Sequence, residues 1–249
     1  MIRHTDRTGT RLATIHTQGG SPTLVFLSGF MSDMTGEKAT MLAAHAASLG
    51  HASLRLDYSG HGASGGAFED GCIGDWTQDA LHLIDTLTEG PIVLAGSSMG
   101  GWIALLVALA RPHRIAALIG IAAAPDFTET LMWARFGEDT RQSILRHGLI
   151  RVPSDYGGHQ VITRKLIEDG RKHLLLGAPI PIACPVRLLH GQGDADVPWQ
   201  TALTLAGRLE TPDVRVILVK DGGHRLSRRA DLALLRDIAG ALLLGQDSP

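Results

Sequence analysis

Pro91-Ile92-Val93-Leu94-Ala95-Gly96-Ser97-Ser98-Met99-Gly100-Gly101-Trp102-Ile103-Ala104-Leu105-Leu106-Val107-Ala108-Leu109 reads as a buried strand, a sharp turn and a buried helix. A Gly-x-Ser-x-Gly set between such a strand and helix is the sequence form of a nucleophile elbow. Its central serine takes a strained backbone conformation and holds its hydroxyl out. Ser98 is that serine. A turn this tight presses Gly96 and Gly100 against neighbouring backbone where a Cβ would clash. Ser97 is off-centre in the motif and is expected to pack or hydrogen-bond locally.

Apolar runs of the same kind recur at Thr23 to Leu27, Ala52 to Leu56, Ala116 to Ala122, Val186 to Leu189 and Val214 to Val219. Runs apolar on both faces suit central parallel strands, and each is separated from the next by room for a crossover helix. Thr10 to Thr17 alternates in part and is predicted as an edge strand. Lys38 to Leu49, Asp75 to Leu87 and Ala230 to Leu244 carry apolar stripes at helical spacing and are predicted to cover the sheet. The alternation predicts one α/β domain over residues 1–249 with a mostly parallel, doubly wound sheet.

One stretch breaks the rhythm. After the strand ending near Ala124, about sixty residues pass before Val186, far more than a crossover needs. Short helices are predicted at Thr128 to Phe136, Thr140 to His147 and Gln160 to His173, joined by a loop at Val152 to Gly158. The economical reading is a small helical cap inserted at about 125–182 over the C-terminal edge of the sheet.

A serine hydroxyl needs a base within hydrogen-bond reach and a carboxylate to orient that base. After Val186 to Leu189 comes His190-Gly191-Gln192-Gly193-Asp194-Ala195-Asp196-Val197-Pro198-Trp199, a loop at the strand end where functional groups gather in open α/β sheets. Asp194, four residues before the proline, is the expected acid and Asp196 the alternative. After Val214 to Val219 comes Lys220-Asp221-Gly222-Gly223-His224, and His224 is the expected base. The order Ser98, Asp194, His224 is that of the α/β-hydrolase fold. His190 is expected to brace the acid loop, and His61, in a turn-rich loop, to be structural.

A tetrahedral intermediate needs two backbone donors, expected from the N–H of Met99 and, after the turn at Ser28-Gly29, the N–H of Phe30. Leu131, Met132, Trp133 and Phe136 form an apolar cluster early in the insertion. They are expected either to line an acyl-chain pocket or to fix the cap to the body.

Lys and Arg total 23 against 25 Asp and Glu, for a net charge of −2. That balance supplies no polybasic field for nucleic acid or an anionic membrane. Cys72 and Cys184 lack metal-ligand spacing, no His-x-x-x-His or Cys-x-x-Cys is present, and neither metal nor cofactor is expected. The first residues lack the apolar core of a signal peptide, and no apolar run is long enough for an integral membrane segment. A cytoplasmic protein is the expectation.

Ser28-Gly29-Phe30-Met31-Ser32-Asp33-Met34-Thr35-Gly36, Asp57-Tyr58-Ser59-Gly60, Gly96 to Trp102, Val152-Pro153-Ser154-Asp155-Tyr156 and Arg187 to Trp199 together carry a family resemblance. Over nearly the whole chain, the sequence resembles serine hydrolases of the α/β-hydrolase superfamily. Within them it resembles the family of the mitochondrial palmitoyl-protein thioesterase, also known as the mycophenolic acid acyl-glucuronide esterase. The resemblance matches Ser98, Asp194 and His224 to that family's triad. It implies hydrolysis of carboxylic esters or thioesters, S-depalmitoylation included, with an ester or thioester or an acylated protein as partner. Two departures stand out: Ser28 occupies a position where many hydrolases have histidine or proline, and no N-terminal extension resembles a transit peptide. The rival readings are a small-ester carboxylesterase, a perhydrolase or haloperoxidase-like enzyme on the same triad, and a non-catalytic binding module.

Overall fold

The computed structural model describes residues 1–153 and 158–246. The stretch Ser154-Asp155-Tyr156, which carries part of the resemblance, lies outside the described residues. The chain begins with β1 (Arg3–Arg7), β2 (Thr10–Thr17), β3 (Gly20–Leu27), α1 (Glu37–Ser48), β4 (His51–Leu56), α2 (Ile73–Leu87), β5 (Ile92–Ser97), α3 (Met99–Ala110) and β6 (Ile115–Ile121). After an interposed segment come β9 (Val186–Gly191), α6 (Gln200–Arg208), β10 (Val214–Val219) and α7 (Arg229–Leu243). That segment contains α4 (Glu138–His147), the antiparallel pair β7 (Leu149–Pro153) and β8 (His159–Thr163), and α5 (Arg164–Gly170).

Eight strands form one sheet in the order β1-β2-β4-β3-β5-β6-β9-β10. The β1–β2 and β2–β4 pairings are antiparallel and the others parallel. This is the α/β-hydrolase fold, and every two-sided apolar run became a strand of the parallel part. One face packs on α2, α3 and α6 through Trp76, Leu83, Trp102, Leu105 and Leu205. The other packs on α1 and α7 through Leu42, Ala46, Leu235 and Ile238. Burial on both faces is why these strands lack alternation.

The predicted edge strand, β2, is one place in. β1 lies outside it, and its charged Arg3-His4-Thr5-Asp6-Arg7 suits an edge facing water. Arg7 secures that edge, since its guanidinium meets the buried Asp79 carboxylate at 2.7 Å while Asp79 also accepts the Ser59 N–H at 2.8 Å.

In the interposed segment, α4 falls where a helix is predicted, but Gln160 to Thr163 is strand β8 rather than the start of a helix. Its β-branched Val161-Ile162-Thr163 pair with Arg151, Ile150 and Leu149 of β7. Thr128–Met132 winds as a π turn and Trp133–Arg135 as a 3₁₀ turn, so the predicted helix there is irregular. No helix among the described residues is long and apolar enough to cross a membrane.

Candidate active site

The parallel strands align their C-terminal ends. Leu27 of β3 sits beside Gly96 of β5, Ser97 beside Ile121 of β6, and Ile121 beside Leu189 of β9. Segments leaving these ends meet over one edge, the site expected for an open α/β sheet.

Ser98 lies between β5 and α3 with φ 54° and ψ −119°, a left-handed conformation rare for a residue with a side chain. The strain is held by hydrogen bonds: the Ser98 N–H donates to Ile121 O at 2.9 Å, and the Ser98 carbonyl accepts the N–H groups of Gly101 and Ala124 at 2.9 and 3.1 Å. A Cβ on Gly96 would overlap the Gly100 carbonyl, and one on Gly100 would overlap Leu27 O. Both glycines are therefore required by close approach.

The Ser98 hydroxyl lies 3.1 Å from His224 Nε2, and His224 Nδ1 lies 2.8 Å from Asp194 Oδ2. With Nδ1–H donating to the carboxylate, Nε2 is left to accept the serine proton. Asp194 is held from every side. Its Oδ1 accepts the N–H groups of Asp196 and Val197 at 2.9 and 2.8 Å, and Oδ2 is also within 3.2 Å of His190 Nε2. Burial alone pushes this carboxyl up, but hydrogen bonds from His190, His224 and Val197 outweigh it and hold Asp194 well below the usual carboxylate range. Asp196 borders the cavity and gives its N–H to Asp194.

Among the described residues, Asp194, Asp196 and His224 bring one donor atom each within 4.8 Å of one another, close enough to approach a cation. A cation there would compete with the hydrogen bonds that orient His224. Cys72 and Cys184 are free thiols, pushed up to about 12 and about 11 by burial, which leaves both inert as nucleophiles.

The turn after β3 closes with the Ser32 N–H donating to Gly29 O at 3.1 Å, which leaves the Phe30 N–H outside the turn's own bond. Met99 opens α3, so its N–H is one of those at a helix start without an intrahelical partner. A Cβ added at Gly29 would lie 3.3 Å from Ser97 O and 3.4 Å from Ser98 Cβ, so this turn runs close beside the serine. The segment beyond is fastened from below: Asp57 accepts the Met34 and Ala63 N–H groups at 2.7 and 2.8 Å, Arg55 donates to Met34 O at 2.9 Å, and the Tyr58 hydroxyl donates to Ser28 O at 3.3 Å. Sequence reasoning passed over Asp57 and Tyr58, although they sit in a quoted motif. His61 is buried among Tyr58, Phe68 and Trp76 with ring centroids 5.0–5.5 Å away, as befits a structural residue.

Ser98 and His224 open into a cavity of about 630 Å³. Phe30, Ala124, Phe127, Leu131 and Met132 give it an apolar wall, while Lys38, Arg135, Asp196 and Arg225 give a charged one, with His159 also on the lining. Of the four apolar candidates in the insertion, Leu131 and Met132 line this cavity. Met132 also touches the segment's own core of Ile144, Ile162 and Ile167, whereas Trp133 and Phe136 pack against that core without lining the cavity, and Arg171 and Arg141 lie 4.8 and 5.5 Å from the Trp133 ring centroid. Phe127, Arg135, His159 and Gln160 reach the cavity without having been singled out in the sequence. Only tertiary packing identifies them.

The family model described as "Serine aminopeptidase, S33" matches residues 21–156, more than half of the chain. The mouse (Mus musculus) mitochondrial palmitoyl-protein thioesterase ABHD10 is 44% identical over 226 residues, covering 90% of this chain and 76% of the relative. The structure of mouse α/β-hydrolase domain-containing protein 10 superposes with TM-score 0.91 at 40% identity, covering 98% of this chain and 99% of that one. A hydrolase from Agrobacterium vitis S4 gives TM-score 0.93 at 38% identity, with 98% of each chain covered.

These relatives correct one expectation. The cytoplasmic location read from charge, thiols and the N-terminal residues is overturned, because the ABHD10 relatives from mouse, cattle and human are named as mitochondrial. Packing and net charge report how a domain folds and stays soluble, whereas an organelle address is a targeting signal that leaves no mark on the packed core.

Proposed function

We propose, from the fact that the chain belongs to the α/β-hydrolase family of serine hydrolases and to its branch of ABHD10 palmitoyl-protein thioesterases, that Ser98, His224 and Asp194 are the catalytic triad of an acyl thioesterase. The single observation that carries the reading is the Ser98–His224–Asp194 chain at 3.1 and 2.8 Å, opening into a cavity with one apolar wall. The finer substrate is a long acyl chain in thioester linkage, S-palmitoylated protein included, and the setting is mitochondrial, as in the names of the relatives.

His224 takes the hydroxyl proton as Ser98 Oγ attacks the acyl carbonyl. The resulting oxyanion sits between the N–H groups of Phe30 and Met99, and each such donor contributes roughly 3 to 4 kcal/mol to transition-state stabilisation. Collapse breaks the carbon–sulfur bond, and the imidazolium returns its proton to the departing thiolate. Water then attacks the acyl-enzyme, giving its proton to His224, and the carboxylic acid leaves as Ser98 recovers its hydrogen. The segment at about 125–182 acts as a cap, with Leu131 and Met132 turned to the acyl chain.

Fluorophosphonate labelling tests the nucleophile: wild type and Ser97→Ala are expected to label and Ser98→Ala not. Labelling that survives in Ser98→Ala rejects the triad, and failure of wild type to label leaves a non-catalytic binding module. Palmitoyl thioester and p-nitrophenyl palmitate turnover, compared on the same preparation, tests the substrate class.

A further inference from the structure

The chain leaves the sheet after β6 and returns through residues 174–185, and the two crossings meet at Asp126. This residue has φ 61°, is 3% exposed, and is placed two residues after Ala124, whose N–H holds the Ser98 carbonyl. Asp126 Oδ1 accepts the Leu175 N–H and Oδ2 the Leu176 N–H, both at 2.8 Å, across 49 and 50 residues of chain. One buried carboxylate thus ties the outgoing crossing of the neck to the returning one.

The residue that follows Asp126 is Phe127, which lines the cavity. Its ring lies 5.8 Å from Phe30 and 5.7 Å from Trp102, both in edge contact. Trp102 Nε1 in turn donates to His173 O at 3.0 Å, on the returning side of the neck. The segment has other attachments to the body, among them Lys165 with Asp75 at 2.7 Å and Arg151 with Glu69 at 3.4 Å. Those pairs are about half exposed and contribute little. A firmer one is the Gly74 N–H donated to Asp169 Oδ2 at 2.7 Å, which anchors α5 to the body; the two charge-assisted bonds on the buried Asp126 carboxylate are the ones that close the neck itself.

We propose that the Asp126 carboxylate is a clasp that closes the neck of the inserted segment and fixes the Phe127 wall of the cavity, which makes Asp126 a positioning residue for acyl-chain selection. Alanine at 126 frees the Leu175 and Leu176 N–H groups and lets Phe127 drift from Phe30. A long acyl chain, which needs that wall, loses more than an acetyl group, which does not reach it. Asparagine keeps one carbonyl acceptor and falls between. The inference rests on the reading of this segment as a cap over Ser98.

The test compares kcat/KM for p-nitrophenyl decanoate and p-nitrophenyl acetate. Asp126→Ala is expected to lower the decanoate-to-acetate ratio by about tenfold, mainly through the decanoate KM, with Asp126→Asn intermediate. A ratio unchanged in Asp126→Ala, or equal losses on both esters, overturns the proposal. Phe127→Leu keeps the clasp and trims the wall, so it is expected to shift the same ratio even if the Asp126 variants do not fold, and an unchanged ratio there also overturns it. In the wild-type protein, hydrogen exchange of the Leu175 and Leu176 amides is expected to be as slow as in β5. Exchange at exposed-loop rates refutes the clasp. A wild type that neither labels with fluorophosphonate nor cleaves either ester rejects the hydrolase reading instead, and the exchange measurement still judges the clasp.

Discussion

His190 Nε2 lies 3.2 Å from Oδ2 of Asp194, the same oxygen that accepts the His224 Nδ1–H at 2.8 Å. The His190 ring is 1% exposed, and its Nε2–H also points to Val197 O at 3.0 Å. It therefore holds both ends of the acid loop while sharing the carboxylate with His224. His190→Ala is expected to lower kcat by about tenfold with KM little changed, because Asp194 loses one of its orienting donors and Val197 O is left unpaired. His190→Gln, which restores an N–H donor, is expected to recover part of the loss. Steady-state kinetics on both variants checks this, and a drop in melting temperature with kcat intact would show that His190 serves stability alone.

Asp194→Asn and Asp196→Asn are expected to differ widely. Asp194 reaches His224 through its side chain, whereas Asp196 serves Asp194 through its backbone N–H, which asparagine retains. A misoriented or wrong-tautomer histidine costs on the order of ten-thousandfold in kcat, so Asp194→Asn should fall by that order and Asp196→Asn by less than about tenfold. Equal or reversed losses transfer the orienting role to Asp196.

Acid stability follows from the same carboxylate. Asp194 is held below its ordinary range in the folded protein, so the unfolded chain takes up this proton first as pH falls. The stabilisation is complete above the unfolded value near 4 and is lost as pH drops below it, about 1 kcal/mol by pH 3. Asp231, drawn down by the Arg228 hydrogen bond, acts in the same direction. Asp57 and Asp126 are raised by burial and act in the opposite one. Urea unfolding from pH 6 to pH 3 should show a steeper acid loss for wild type than for Asp194→Asn; parallel curves would contradict the assignment.

The central strands and the order of Ser98, Asp194 and His224 were legible because two-sided burial and tight turns leave local marks. β1 was not, since Arg3–Arg7 needs no apolar face at a solvated edge. Nor did α6 or the β7–β8 pair stand out, the former because only Ala202 and Leu205 of Gln200–Arg208 are buried. Which member of Leu131-Met132-Trp133-Phe136 meets the cavity depends on how the chain winds. A π turn followed at once by a 3₁₀ turn departs from the 3.6-residue period on which a helical face is read. His190 and Asp126 act through partners 4 and 49 residues away or more, of which only the first could be suspected from spacing.

The acyl-length profile is where that winding has a measurable consequence. Leu131 and Met132 line the cavity, so Met132→Ala removes apolar surface that an acyl chain covers, and the unbranched methionine leaves room that neighbours fill poorly. Each buried CH₂ contributes roughly 0.8 kcal/mol, or about fourfold in kcat/KM, until the pocket is full. Wild type is therefore expected to climb from acetyl to medium and long p-nitrophenyl esters and the matching thioesters, and Met132→Ala to climb less steeply. Trp133 touches only the inserted segment's own core, which Met132 also reaches, and Arg171 and Arg141 lie over its ring. Trp133→Ala is expected to cost roughly 2 to 3 kcal/mol of stability while leaving the slope of the profile as it was. A flattened slope in Trp133→Ala with none in Met132→Ala would mean that the acyl chain runs through the segment's core rather than along the cavity wall. A preference for acetyl or butyryl that neither substitution alters would leave a small-ester carboxylesterase, with the apolar wall serving only to seat the segment on the body.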